Sequence, residues 1–182
     1  MLEETRQLKK DLQGVQGHIF YYFEDTNKYV ENAVAYIMAG IEQGGQVFVA
    51  ENSRLYCLIQ DKLQSLLNSE QMNRICYSNN FDFYFSKGTF HPEALMKHCR
   101  QAVDSLVEKE VPVRTWGHIE WGKEHKLDRE IEIYEKKLDQ MLFLDHIASV
   151  CAYDASRVSE SLKRTLLESH EFFMTDDEIM KV

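Results

Sequence analysis

Between residues 114 and 121 the chain reads Arg114-Thr-Trp-Gly-His-Ile-Glu-Trp121, which places two tryptophans, a histidine and a glutamate within six residues. In an extended strand alternate side chains share a face. Trp116, His118 and Glu120 therefore fall on one side, and Gly117, Ile119 and Trp121 on the other. By type, His118 beside Glu120 is an acid/base pair, or two ligands of a metal site completed by His125 nearby. The plainer alternative is a core tryptophan, a surface ion pair and a loop. A non-catalytic pocket or structural role is favoured over catalysis, and no metal or other cofactor is expected.

Two other stretches test for nucleotide chemistry. A phosphate cradle needs glycines that let backbone N–H groups converge, followed by a Lys and a Ser or Thr. The stretch Phe23-Glu24-Asp25-Thr26-Asn27-Lys28 has no glycine. It puts two carboxylates where phosphate would lie, and like charge repels a triphosphate in a partly dry site. GxGxxG is absent, so ATP hydrolysis by the usual apparatus is not expected. The stretch Val150-Cys-Ala-Tyr153-Asp154 has the apolar-run-then-Asp form that holds Mg²⁺ in nucleotide enzymes. Without a phosphate loop, Asp154 or Ser156 reads instead as a helix cap. His170-Glu171 reads as a helix C-terminal cap. No GxSxG elbow is present, and the aromatic stretch from Phe81 to Phe90 has one Lys, too little charge for a nucleic-acid stacking platform.

The elements that position these residues follow from apolar spacing. His18–Phe23 is a continuous β-branched and aromatic run, hence a buried strand. Tyr29, Val30, Ala33, Val34, Ile37, Met38 and Ile41 form one face of a helix capped by Asp25 or Thr26 and stopped at Gly44-Gly45. Residues 46–50 make a second strand ending at Glu51, Asn52 and Ser53, and a helix follows on Leu55, Ile59, Leu63, Leu66 and Leu67. A short strand is predicted over 74–78 and an irregular aromatic loop over 79–90. A helix on Leu95, Cys99, Ala102, Val103 and Leu106 comes next. A fourth strand starts over 112–116, and a helix runs through Leu127, Ile131, Tyr134, Leu138, Met141 and Leu142. A fifth strand over 148–153 precedes a helix through Val158, Leu162 and Leu166.

Strict alternation of short apolar strands with helices implies an α/β three-layer sandwich around a mainly parallel sheet. Ligands of such sheets collect at the strand carboxyl ends. That rule selects Glu24, Asp25, Glu51, Asn52, Trp116, His118, Glu120, Trp121, Tyr153 and Asp154 as candidate ligand-binding residues.

The 182 residues carry 21 Lys+Arg against 30 Asp+Glu, a formal charge of −9, with 44% hydrophobic residues. This is ordinary globular composition and fits one domain. The acidic balance argues against nucleic acid, whose binding is largely counterion release driven by clustered Lys and Arg. The four cysteines form no CxxC pair and read as reduced, structural thiols. Residues 1–13 read as a mixed-charge lead-in rather than a signal peptide, and residues 175–182 as a solvated acidic tail. The longest apolar run, residues 33–41, is too short to span a membrane, so the expected location is the cytoplasm.

Gly17-His-Ile-Phe-Tyr-Tyr-Phe-Glu-Asp25, then Gly40-Ile-Glu-Gln-Gly-Gly-Gln-Val-Phe-Val-Ala-Glu-Asn52, resembles the start of the MEDS domain, the methanogen/methylotroph DcmR-type sensory domain. Trp116–Trp121, Cys151–Asp154 and His170-Glu171 also resemble that family, and the likeness covers residues 14–174. It implies a RecA/KaiC-like fold that has lost the phosphate-binding loop. It also implies a non-enzymatic sensory or regulatory role in prokaryotic signalling, with a small ligand or a protein partner at the strand ends. In one respect the chain departs from the family, which often has an acid directly after the glycine of the fourth strand, where this chain has His118. No output domain is expected on this chain, so a signal would leave through a partner or a homodimer. Two alternatives stand beside this reading: a hydrolase or transferase using His118 and Glu120, and a pure protein-interaction subunit.

Overall fold

The six residues of β1 (His18–Phe23) are almost all buried, which places the strand inside a sheet rather than at its edge. The computed structural model describes residues 2–107, 110–122 and 127–182. Along the chain, α1 (Leu2–Gly14) precedes β1. Then come α2 (Thr26–Glu42), β2 (Gln46–Glu51), α3 (Ser53–Leu66), α4 (Ser69–Met72), β3 (Ile75–Asn79), α5 (Asn80–Tyr84) and α6 (Pro92–Val107). They are followed by β4 (Val113–His118), α7 (Asp128–Asp145), β5 (Ala148–Asp154), a 3₁₀ turn (Ala155–Arg157), α8 (Glu160–Glu168), β6 (Phe172–Met174) and β7 (Ile179–Lys181).

The strands form one sheet in the order β3-β2-β4-β5-β1-β6-β7. Every neighbouring pair is parallel except the β6–β7 hairpin. Apolar side chains of α1, α2 and α3 pack on one face of the sheet, and those of α5 to α8 on the other. The α/β sandwich with a mainly parallel sheet is therefore as its sequence pattern implies. Parallel register aligns the strand carboxyl ends, so Phe23 lies opposite Asp154, His118 opposite Ala152, and Glu51 opposite Asn79.

Five segments differ from the sequence expectation. The third strand is Ile75–Asn79, one residue later than expected. The aromatic stretch is not wholly irregular, because Asn79 accepts the N–H groups of Phe81 and Asp82 and starts the short helix α5. Val158 lies outside the last helix. Asp154 caps only the 3₁₀ turn, and Ser159, which accepts from Leu162 N, starts α8. Residues 175–182 are mostly exposed, as expected, but are not a free tail, since β7 pairs with β6 and Asp176 is drawn back onto the β1–α2 loop. The N-terminal segment also joins the core, with Leu8 and Leu12 buried against α2.

Arg114 ties α1 to the sheet. It is 2% exposed, and its guanidinium donates to Leu12 O at 2.7 Å, Gln13 O at 3.0 Å and Gln43 Oε1 at 3.1 Å. A cation at a helix carboxyl end satisfies orphan carbonyls and opposes the negative pole of the helix dipole. Among the described residues no helix is long and apolar enough to cross a membrane. Arg114→Met strands those acceptors. Urea unfolding is expected to show a loss of about 1–3 kcal/mol, with Arg114→Lys recovering only part, because an ammonium does not reproduce the guanidinium fork.

Candidate functional site

Two strand ends and two helix starts meet around one carboxylate. Glu51 closes β2 and is fully buried. Its Oε2 accepts the Tyr29 hydroxyl of α2 at 2.5 Å. Its Oε1 accepts His118 Nδ1 of β4 at 2.6 Å, Asn52 N at 2.8 Å and Asn52 Nδ2 at 3.1 Å. Trp116 Nε1 in turn donates to the Tyr29 hydroxyl at 2.8 Å, which completes a chain Trp116–Tyr29–Glu51–His118. Burial pushes the Tyr29 phenol well above its ordinary range and the Glu51 charge adds to the shift, so Tyr29 keeps the proton it donates.

Local sequence explains each placement. Asn52 leaves β2 in extended geometry, and its side chain accepts Leu55 N, which starts α3 immediately after Glu51. Alternation along β4 puts Trp116 and His118 on one face. Asn80 Nδ2 donates to His118 O at 3.0 Å and fixes the strand end from the α5 side. Phe23 meets the His118 ring edge-on at 5.3 Å. Because a carboxylate only accepts, its contact gives His118 the Nδ1–H tautomer. Among the described residues no hydrogen bond is formed by Nε2 of this buried ring. A histidine oriented by a carboxylate in this way can accept a proton or hydrogen-bond a ligand.

The β1–α2 loop is closed by the protein's own carboxylates. Asp25 caps α2, with Oδ1 accepting Asn27 N at 2.8 Å and Lys28 N at 2.9 Å. Asp176, from the β6–β7 turn, accepts Glu24 N at 3.1 Å and Asp25 N at 2.9 Å on Oδ2, and the Tyr21 hydroxyl at 2.7 Å on Oδ1. Asn32 Nδ2 also holds this turn, donating to the Tyr21 hydroxyl and to Asp176 O. Lys28, the cation of the loop, pairs with Asp177 at 2.6 Å. The N–H groups that an external anion would use are thus already taken.

The ten candidate residues therefore fall into separate groups. Glu51, Asn52, Trp116 and His118 come together, and Glu24 and Asp25 sit under Asp176. Glu120 does not pair with His118. Its two oxygens take the Arg157 guanidinium at 2.9 and 3.0 Å, and the same guanidinium lies 4.2 Å from the Trp121 ring centre. The strand ends at His118, so face-sharing no longer applies at Glu120. Tyr153 points to the other face and donates to Glu135, and Asp154 accepts Ser156 N and Oγ. His125 lies outside the described residues. Strand-end reasoning does not select Tyr29, Tyr21 or Asp176. A tyrosine on a buried helix face needs a partner for its hydroxyl, and this is the available signal for Tyr29.

The profile of the MEthanogen/methylotroph, DcmR Sensory domain matches residues 17–171, most of the chain. The chain belongs to the MEDS family. No curated protein matched it. For a MEDS domain the name supports a sensory or regulatory role.

Two outcomes follow from this geometry. Tyr29→Phe leaves Trp116 Nε1 without its acceptor and Glu51 without one donor, and chemical denaturation is expected to show a loss of about 1–3 kcal/mol. For Glu120, burial pushes the carboxyl up, but the Arg157 guanidinium and the Gly122 N–H outweigh it and hold the carboxyl below its usual range. A depressed folded-state pKa gives stability that is present above the unfolded value and lost as pH falls through the folded one. The melting-temperature gap between the native chain and Glu120→Gln is therefore expected near neutral pH and to close between about pH 5 and pH 3.

Proposed function

We propose that this MEDS domain is a non-enzymatic sensory module of prokaryotic signal transduction that binds a small ligand or a protein partner at the strand carboxyl ends, with His118 Nε2 as the reading atom. The observation that carries this reading is the Glu51–His118 contact at 2.6 Å. It fixes one tautomer and offers the other ring nitrogen where open parallel sheets bind ligands. Trp116, linked through the Tyr29 hydroxyl to Glu51 and so to His118, supplies an internal reporter of any change there.

The same reading makes the fold a RecA/KaiC-like one without its phosphate loop. In support, a strand, a short loop and a helix stand at β1–α2 where a phosphate cradle would form, and Asp25 and Asp176 occupy the donors. Catalysis by His118 is the second reading, favoured by its carboxylate-oriented ring. The absence of nucleic-acid binding belongs to the proposal on the grounds of the acidic charge, and signal output through a homodimer or a partner belongs to it as well.

Calorimetry with Mg²⁺ and ATP is expected to give no binding heat. Native mass spectrometry of protein taken directly from cells is expected to show a small non-covalent mass that His118→Ala loses, with a change in Trp116 emission when it departs. ATP turnover abolished by Glu51→Gln would overturn the non-enzymatic reading. A clean mass that no cell extract alters would move the assignment to a pure interaction subunit.

A further inference from the structure

On the other face of the sheet, away from Glu51, four buried side chains converge: His18 at the start of β1, Glu135 of α7, Cys151 of β5 and His170 between α8 and β6. One donor atom from each lies within 4.8 Å of all the others. His18 Nε2 is 3.2 Å from Glu135 Oε2 and 3.3 Å from Cys151 Sγ, and His170 Nε2 is 3.5 Å from the same Oε2. An ion with tetrahedral bonds of about 2.0–2.3 Å separates its ligand atoms by roughly 3.3–3.8 Å. The three contacts are close to that spacing.

Glu135 Oε2 and His170 Nε2 are buried without a well-formed hydrogen bond, and Oε2 stands within ion-pair distance of both His18 Nε2 and His170 Nε2. Unsatisfied buried polar atoms are costly and rare, and a carboxylate oxygen facing an imidazole nitrogen is resolved by a proton or a metal cation between them. The outward atoms, by contrast, are each held. His18 Nδ1 meets the Asp139 carboxylate at 3.3 Å, His170 Nδ1 donates to Leu166 O at 2.7 Å, and Glu135 Oε1 accepts the Tyr153 hydroxyl. The Leu166 contact puts the His170 proton on Nδ1 and leaves the lone pair on Nε2. Carboxylate and carbonyl partners on the remote ring nitrogens are what orient metal-bound histidines. A surface groove of about 470 Å³ is lined in part by His18, Asp139 and Glu171 and so reaches the outer edge of the cluster at His18.

We propose that His18, Glu135, Cys151 and His170 form a closed binding site for a borderline divalent transition metal, of which Zn²⁺ is the best fit. Two imidazoles, one thiolate and one carboxylate are Zn²⁺ donors, whereas Mg²⁺ and Ca²⁺ prefer sets made only of oxygen. Four protein ligands leave no open position, so the ion is structural or sensory and not catalytic. On binding, the metal–sulfur bond forms and the Cys151 thiol proton leaves to solvent, with no change of oxidation state. The site joins β1, β5, α7 and the segment before β6, and it is independent of the His118 reading.

The test is metal analysis of the purified full chain, followed by chelation and titration of the apo protein with Co²⁺ as a spectroscopic substitute for Zn²⁺. One metal per chain is expected, together with tetrahedral Co²⁺ bands and a thiolate-to-Co²⁺ charge-transfer band that Cys151→Ser abolishes. Asp139→Asn changes a partly exposed outer partner, so the chain keeps its fold by circular dichroism while metal affinity falls about 10–100-fold. Substoichiometric metal with no Co²⁺ bands would overturn the site and leave the cluster a metal-free polar core. Equal affinity in the native chain, Cys151→Ser and His170→Gln would overturn it as well. Should those core variants fail to fold, unchanged affinity in Asp139→Asn overturns the site in their place.

Discussion

A buried carboxylate must be given donors, and the donors around Glu51 set the arrangement of one end of the sheet. Charge removed from water costs several kcal/mol unless hydrogen bonds replace the lost hydration. Glu51 draws those bonds from α2 through Tyr29, from β4 through His118 and from its own chain exit through Asn52. Trp116 is then anchored because its N–H requires an acceptor in the core, and Tyr29 supplies it. The pairing of β2 with β4, the docking of α2 and the start of α3 are thus parts of one polar solution inside an aromatic shell of Phe23, Tyr21 and Tyr36.

The β1–α2 loop follows the same rule with a different result. A helix amino end offers unpaired N–H groups and attracts an anion. In this chain the anions are Asp25 and Asp176, one local and one brought from the hairpin 151 residues along the chain. Tyr21 beneath them is pushed upward by burial and by the Asp176 charge and stays protonated, so it acts as a donor that holds the hairpin in place. A position that would otherwise invite phosphate becomes an internal tie between the two ends of the domain.

Much of this is legible in the sequence, for reasons that differ by element. The strands β1, β2 and β5 are continuous apolar runs, and α2 has a clear apolar face, so their types and order can be read directly. Glu51, Asn52, Trp116 and His118 are reachable because strand ends in parallel sheets collect function. The partner of His118 is not, since Glu120 is near in sequence whereas Glu51 is near only after β2 and β4 pair. Asp176 looks like solvated charge because nothing local marks a three-residue strand, and the sequence starts α8 too early because the 3₁₀ turn at Ala155–Arg157 imitates a helix start. The cluster of His18, Glu135, Cys151 and His170 comes from four distant segments with no ligand spacing to expose it.

Glu51 fixes His118 with its proton on Nδ1, and in the proposed reading Nε2 is the atom that meets a ligand. Nitrogen-15 NMR of the imidazole ring tests it most directly. The expected result is a single Nδ1–H tautomer with a slowly exchanging, strongly downfield proton that Glu51→Gln shifts and Glu120→Gln leaves in place. An Nε2–H tautomer, or a ring in rapid exchange with both forms present, would contradict the account.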